Sequence, residues 1–79
     1  MSPTVFRIGK YRFFFFSREE VKKHVHVISP DGEAKFWIEP EVILANQTGL
    51  TGKQIKYLEK IIDDNKDEIS KKWDDHFKG

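Results

Sequence analysis

Apolar and polar positions alternate with period two in the N-terminal half of the chain, a pattern typical of β-strands. The first run, residues 4–8 (T-V-F-R-I), alternates in this way. The second, residues 11–16 (Y-R-F-F-F-F), ends in four Phe that are apolar on both faces, which indicates an interior strand. The Gly9-Lys10 pair between them suits a two-residue type II′ hairpin turn, because Gly stands at the first central position. That turn predicts four cross-strand pairs: Ile8 with Tyr11, Arg7 with Arg12, Phe6 with Phe13 and Val5 with Phe14.

A second hairpin is predicted after a polar connecting loop at residues 17–23. The third strand runs from about residue 23 to 28 and contains H-V-H-V, and the fourth covers residues 33–38. Residues 29–32 (S-P-D-G) have turn chemistry. A four-residue loop would pair His26 with Lys35 and His24 with Trp37, whereas a two-residue loop would pair His26 with Trp37. Both registers place the histidines on one face and the valines on the other, since strand side chains alternate.

A long amphipathic helix is predicted over residues 52–77. Thr51 and Gln54 form a capping box with Leu50 as the hydrophobic staple. Apolar residues then recur at helical spacing: Ile55, Leu58, Ile61, Ile62, Ile69, Trp73 and Phe77. Asn65 lies on this stripe and could split the helix, but one continuous helix keeps the stripe in phase and is preferred. Residues 42–45 could form a short extra strand or a helical turn.

The predicted fold class is α+β. An antiparallel meander of about four strands, within residues 4–44, is followed by a long C-terminal helix packed on one sheet face. The expected helix-covered residues are Phe6, Ile8, Phe13, Phe15, Val25, Val27, Phe36 and Ile38. We expect residues 1–79 to form a single domain, because 79 residues suffice for one small core.

The amino-acid composition restricts the functions that this chain can have. The chain has 14 Lys and Arg against 13 Asp and Glu, so only a local concentration of positive charge would bind nucleic acid. It has no cysteine, which excludes disulfides and thiolate metal sites. No apolar run approaches the roughly 20 residues of a membrane span, and no signal peptide is evident. We therefore expect a cytoplasmic protein without membrane association.

The sheet face away from the helix gathers basic and aromatic side chains. The expected members are Arg7, Arg12, Phe14, His24, His26, Lys35 and Trp37. Sheet surfaces of this kind bind single-stranded RNA by stacking bases on aromatic rings while cations hold the phosphates. Metal-independent RNA cleavage is the second fitting chemistry, because histidines can act as base and acid and a lysine can stabilise the phosphorane.

Other interpretations of these residues stay open. The two histidines could be ordinary surface residues, and His-x-His could also be half of a zinc site, with a third ligand from Glu33 or Glu39. Arg7 opposite Arg12 is unfavourable unless an anion or an acidic partner lies between them. Phe14 and Phe16 would form an apolar patch, which suits a protein partner or a homodimer.

Four motifs resemble a family of small bacterial proteins known only as a domain of unknown function (family 4160). They are T-V-F-R-I-G-K-Y-R-F-F-F-F-S, H-V-H-V, G-E-A-K-F-W and E-I-S-K-K-W-D-D-H-F, and together they span nearly the whole chain. The resemblance implies the toxin half of a two-gene type II toxin–antitoxin pair, partnered by another small protein. The family typically has Pro-Pro before H-V-H-V, where this chain has Lys22 and Lys23.

The leading hypothesis is therefore a toxin-like component that acts on RNA without a metal or cofactor. His24, His26 and Lys35 are the candidate catalytic residues. The candidate residues for binding RNA or a partner are Arg7, Arg12, Phe14 and Trp37. The expected partners are a cognate small antitoxin-like protein, RNA, or a second copy of the chain. The rival hypothesis is a protein-binding module without enzymatic activity.

Overall fold

The computed structural model describes residues 4–15 and 22–77, and it has an antiparallel sheet followed by two helices. The elements are β1 (Thr4–Ile8), β2 (Tyr11–Phe14), β3 (His24–Ser29), β4 (Gly32–Trp37), β5 (Ile43–Thr48), α1 (Gly52–Asp64) and α2 (Lys66–Phe77). The strands lie in the order in which they occur along the chain, so the sheet is a meander. The predicted α+β class is confirmed, with one more strand than expected. Phe16 and most of the predicted 17–23 loop lie outside the described residues.

The first hairpin has the predicted register near its turn. Gly9 has a φ of +57°, the left-handed region that the first turn position requires. The three pairs nearest the turn are as predicted, but the fourth is wrong, because Phe14 lies opposite Thr4. Val5 is the extra residue of a bulge and is buried in the core, so the first strand adds an apolar side chain that strict alternation would place on the other face.

The second hairpin takes the register of the four-residue loop. His24 lies opposite Trp37 and His26 opposite Lys35. Asp31 in the turn forms an ion pair with Lys10 and accepts a hydrogen bond from Gln54 at 2.9 Å. These contacts connect both hairpin turns to the start of α1.

The undecided segment at residues 42–45 belongs to a strand. β5 pairs with β4, with Lys35 opposite Asn46 and Phe36 opposite Leu44. Ala45 is therefore left over as a bulge, which sequence alternation alone does not reveal. β5 forms one edge of the sheet and extends the helix-free face by one strand.

The predicted continuous helix is divided at Asn65, so the preference for one helix is wrong. The Asn65 side-chain amide donates a hydrogen bond of 2.7 Å to the Ile61 carbonyl, and its backbone (φ −114°, ψ 18°) leaves the helical region. The Asn65 carbonyl nevertheless accepts from the Ile69 amide at 2.9 Å, which starts α2. The apolar stripe stays in phase across this break, because Ile62 and Ile69 are both buried. The predicted capping box of Thr51 and Gln54 is present.

The core lies between one sheet face and the two helices. The core side chains from the strands, or from the residue directly after a strand, are Val5, Tyr11, Phe13, Phe15, Val25, Val27, Ala34, Phe36 and Ile38, and the others are Leu50, Leu58, Ile62, Ile69 and Trp73. This confirms the predicted helix-covered face, except that Phe6 and Ile8 are only partly buried. Within the described parts of the chain, neither helix is long and apolar enough to cross a bilayer.

Candidate functional site

The sheet face opposite the helices, here called the outer face, carries three rows of directly paired residues. The central row is Thr4, Phe14, His26, Lys35 and Asn46. The second row is Arg7, Arg12, Ile28, Glu33 and Thr48, and the third is His24, Trp37 and Ile43. Directly paired side chains on one face are about 4.5–5.5 Å apart at Cβ. The structure thus brings every predicted site residue onto one face, although their exposure differs.

His24 does not reach the surface, contrary to the expectation that both histidines would. It is 0% exposed, and its Nδ1 lies 2.8 Å from the Lys22 carbonyl oxygen. Its ring packs edge-on against Trp37 (5.7 Å between centroids) and Trp73 (4.9 Å). Trp73 comes from α2, so the C-terminal helix covers the first residue of β3. A buried imidazole that holds two indoles in place is a packing residue, and only His26 of the pair is partly accessible.

Phe14 is also buried, which corrects its prediction as part of an open apolar patch. It is 7% exposed. The His26 ring stacks on it with centroids 5.5 Å apart, and the Arg12 guanidinium lies 4.8 Å from its ring centre. Phe14 is therefore covered by Arg12 and stacked against His26, and it is not available as a platform for a base.

The two arginines lie directly opposite each other, as predicted. Arg12 turns its Nε to donate a hydrogen bond of 2.8 Å to the Thr4 hydroxyl, and its guanidinium covers Phe14. Arg7 is exposed at the β1 edge of the sheet. The contacts of Arg12 hold its charge on the outer face while Arg7 stays accessible.

Trp37 has two ammonium groups over its ring. Lys35 Nζ lies 4.4 Å and Lys22 Nζ 4.8 Å from the ring centre. Ile43 lies opposite Trp37 and is 47% exposed. The sequence pattern does not indicate Lys22 as a site residue, because Lys22 falls in a connecting segment whose direction the pattern does not define.

A hollow of about 310 Å³ opens beside the central row. Its lining includes Phe14, His26, Glu33, Lys35 and Asn46. Strand alternation could have indicated Glu33, which shares the parity of Lys35, whereas Asn46 required knowing that residues 43–48 form a strand. Among residues 4–15 and 22–77, no three His, Asp or Glu side chains are grouped as a metal site requires, so the zinc alternative has no third ligand there.

A protein-family model described as a domain of unknown function (DUF4160) matches residues 11–74, which is well over half of the chain. No curated protein and no solved structure matches the chain.

Proposed function

Because the chain belongs to the DUF4160 family, we propose that it is the toxin-like component of a type II toxin–antitoxin pair and that its outer face binds single-stranded RNA. The toxin role rests on the resemblance of its motifs to that family. The RNA-binding role rests on one observation: Arg7, Arg12 and Lys35 share a helix-free face in a chain whose net charge is only +1. Such a component would act in the cytoplasm, as the sequence predicts.

Trp37 is the proposed stacking residue. Unpaired bases stack on aromatic side chains while phosphates bind nearby cations. Lys22 and Lys35 already lie over the indole, so a base entering there would displace the ammonium groups sideways toward its own phosphates. Arg7 and Arg12 would continue the path for the backbone toward β1.

Binding rather than cleavage is the proposed activity. RNA cleavage without a metal needs one group to take the proton of the attacking 2′-hydroxyl and another to protonate the leaving 5′-oxygen. The candidate pair for those roles was His24 and His26, but His24 is buried and held at the Lys22 carbonyl. His26 and Lys35 alone supply a partly accessible imidazole beside a cation, which suits phosphate binding.

The experiment combines growth with RNA binding. The wild type, expressed alone, should arrest growth, and the purified protein should bind a fluorescent single-stranded RNA in an anisotropy titration. Arg7→Glu/Lys35→Glu should lower the affinity at least tenfold, because each change replaces a cation with an anion on the outer face.

The matched control is Lys53→Glu/Lys56→Glu, the same change of charge on the exposed side of α1. It should leave affinity and growth arrest unchanged. If the wild type neither arrests growth nor binds RNA, or if the control loses as much affinity as the outer-face variant, the proposal is wrong. Intact RNA after incubation supports binding alone, whereas cleavage of the RNA by the wild type would contradict it.

A separate observation favours a second candidate function, that of a protein-binding module. Ile28 and Ile43 are 40% and 47% exposed and both lie on the outer face. Exposed aliphatic side chains there suit a small antitoxin-like protein or a second copy of the chain. Light scattering of the chain, alone and co-expressed with its gene neighbour, should then show a defined complex that Ile28→Asp/Ile43→Asp disrupts. A monomer in both samples would argue against this function.

A further inference from the structure

Glu33 adds a negative charge to the outer face, which is unfavourable for a surface that binds only phosphates. It lies on the second row of the outer face, next to Ile28 and two residues from Lys35. Its carboxylate is exposed and has no ion pair or hydrogen bond with the other residues that the structure describes. A carboxylate repels phosphate and lowers the affinity of a basic face for a polyanion. Its presence beside the hollow therefore indicates a ligand with hydrogen-bond donors.

Asn46 provides a second polar group at the same hollow. It lies directly opposite Lys35, so it is the diagonal neighbour of Glu33 across β4 and β5. Diagonal neighbours on a sheet face are about 7–8 Å apart, which one flat purine base can span. The Asn46 side chain has no hydrogen bond with other described residues, so both its donor and its acceptor can serve a ligand.

We propose that this hollow is a guanine subsite of the RNA-binding face, an inference that rests on the proposed function. Guanine carries two adjacent N–H donors, N1–H and the N2 amino group, and one carboxylate can accept from both. Its O6 stands next to N1 and would accept from the Asn46 amide. Adenine and cytosine place a lone-pair nitrogen beside their amino group, and uracil has a single N–H between two carbonyls, so each of them gains less from a carboxylate.

The test uses four seven-nucleotide RNAs that are uridine throughout except for G, A, C or U at the centre. In anisotropy titrations the wild type should bind the G-containing RNA about tenfold more tightly than the other three, in the range of a good bidentate base contact. Glu33→Gln and Glu33→Ala should lose this preference. Both should bind the all-uridine RNA at least as tightly as the wild type, because a repelling carboxylate is gone.

Glu41→Gln is the matched control, since Glu41 is an exposed carboxylate that precedes β5. It should keep the preference for guanine, and equal melting temperatures should show that all variants are folded. Failure of the wild type to bind any of the four RNAs would overturn the proposed function and this subsite with it. Equal binding of all four RNAs, or a guanine preference that survives in Glu33→Ala, would overturn the subsite alone.

Discussion

His24 and His26 stand two residues apart on one strand face, yet their surroundings differ. The alternation of H-V-H-V correctly predicts that both valines enter the core and that both imidazoles take the other side. It does not predict that Trp73 covers His24, because that contact joins residues 49 positions apart through the packing of α2. Strand parity therefore fixes the face of a residue, while its exposure depends on long-range packing.

His24→Ala and His26→Ala should lower the free energy of unfolding by different amounts. His24→Ala should lower the free energy of unfolding by about 2–4 kcal/mol, because it leaves a cavity between Trp37 and Trp73 and removes the contact with the Lys22 carbonyl. His26→Ala should cost about 1 kcal/mol, since the His26 ring is only half-buried. Urea unfolding of the three proteins measures both differences. Equal losses would contradict the assignment of His24 as a packing residue.

Gly32 is a second residue whose role depends on a segment that is distant in the sequence. A Cβ added there would lie 2.0 Å from the Thr48 carbonyl oxygen and 3.0 Å from the Gly49 backbone. Neither backbone group can move without disturbing β4 and β5. Gly32→Ala should therefore lower the free energy of unfolding by about 2–3 kcal/mol, measured by urea denaturation.

Gly52→Ala is the control for this substitution. A Cβ at Gly52 meets nothing within 4 Å, and the residue begins α1. Alanine there should be neutral or stabilise the protein by up to about 1 kcal/mol through its helix propensity. The Asp-Gly pair in the sequence indicates a turn, but the close approach of the 48–49 backbone follows only from β5.

At the scale of elements, alternation and helical spacing in the sequence predict the strands and the helical stripe. They do not predict the bulge and the helix break that interrupt these patterns. The predicted pairing of the first hairpin is correct near the turn and wrong beyond the bulge at Val5. A bulge moves one residue to the other face of the sheet, and the amino-acid composition of the strand does not reveal it. The sequence allows a break at Asn65, but the phase of the apolar stripe favours one continuous helix. The stripe survives the break because one non-helical residue shifts the phase little.

Lys23 joins three elements, and this cluster should respond to alkaline pH. Its ammonium group lies 3.0 Å from Glu39 Oε1, 3.1 Å from Asp74 Oδ1 and 2.7 Å from the Ser70 hydroxyl, which links the start of β3 to the end of β4 and to α2. The hydrogen bond with Glu39, followed by that with Asp74, raises the pKa of Lys23 above 10.5.

Because the folded pKa of Lys23 exceeds the unfolded value, its contribution is complete below pH 10.5 and is lost as the pH rises through the folded pKa. The melting temperature of the wild type should therefore fall more between pH 9 and 11.5 than that of Lys23→Met. Lys56→Met, which removes an exposed lysine from α1, should follow the wild type. Parallel curves for all three proteins would contradict a stabilising role for this cluster.

Over the whole molecule, the fold sorts a nearly neutral chain into a core, a mixed-charge helical side and a basic outer face. Arg7, Arg12, Lys35 and Trp37 could be assigned to one face from parity alone, and the register confirms that placement. Lys22 and Asn46 could not, because one precedes a strand and the other follows a bulge. The sequence thus predicted the cations of the candidate site, and the structure adds the hollow with its carboxylate and amide.

The number of cations on the outer face determines how steeply the RNA affinity should fall with salt concentration. If Arg7, Arg12, Lys22 and Lys35 each neutralise one phosphate, the logarithm of the binding constant should fall with the logarithm of salt concentration at a slope of about −3, since each contact on a single strand contributes about −0.7. Arg7→Ala/Arg12→Ala should make that slope shallower by about 1.4. Lys53→Ala/Lys56→Ala, on the helical side, should leave it unchanged.

Trp37→Ala separates stacking from charge in the same titrations. It should weaken binding by about 1–3 kcal/mol at every salt concentration, the usual cost of losing one stacked base, and leave the slope as in the wild type. A slope that depends on Lys53 and Lys56 instead would place the RNA on the helices. A steeper slope in Trp37→Ala would show that the indole carries no stacked base and that the contacts of Lys22 and Lys35 with its ring hold those charges back from the phosphates.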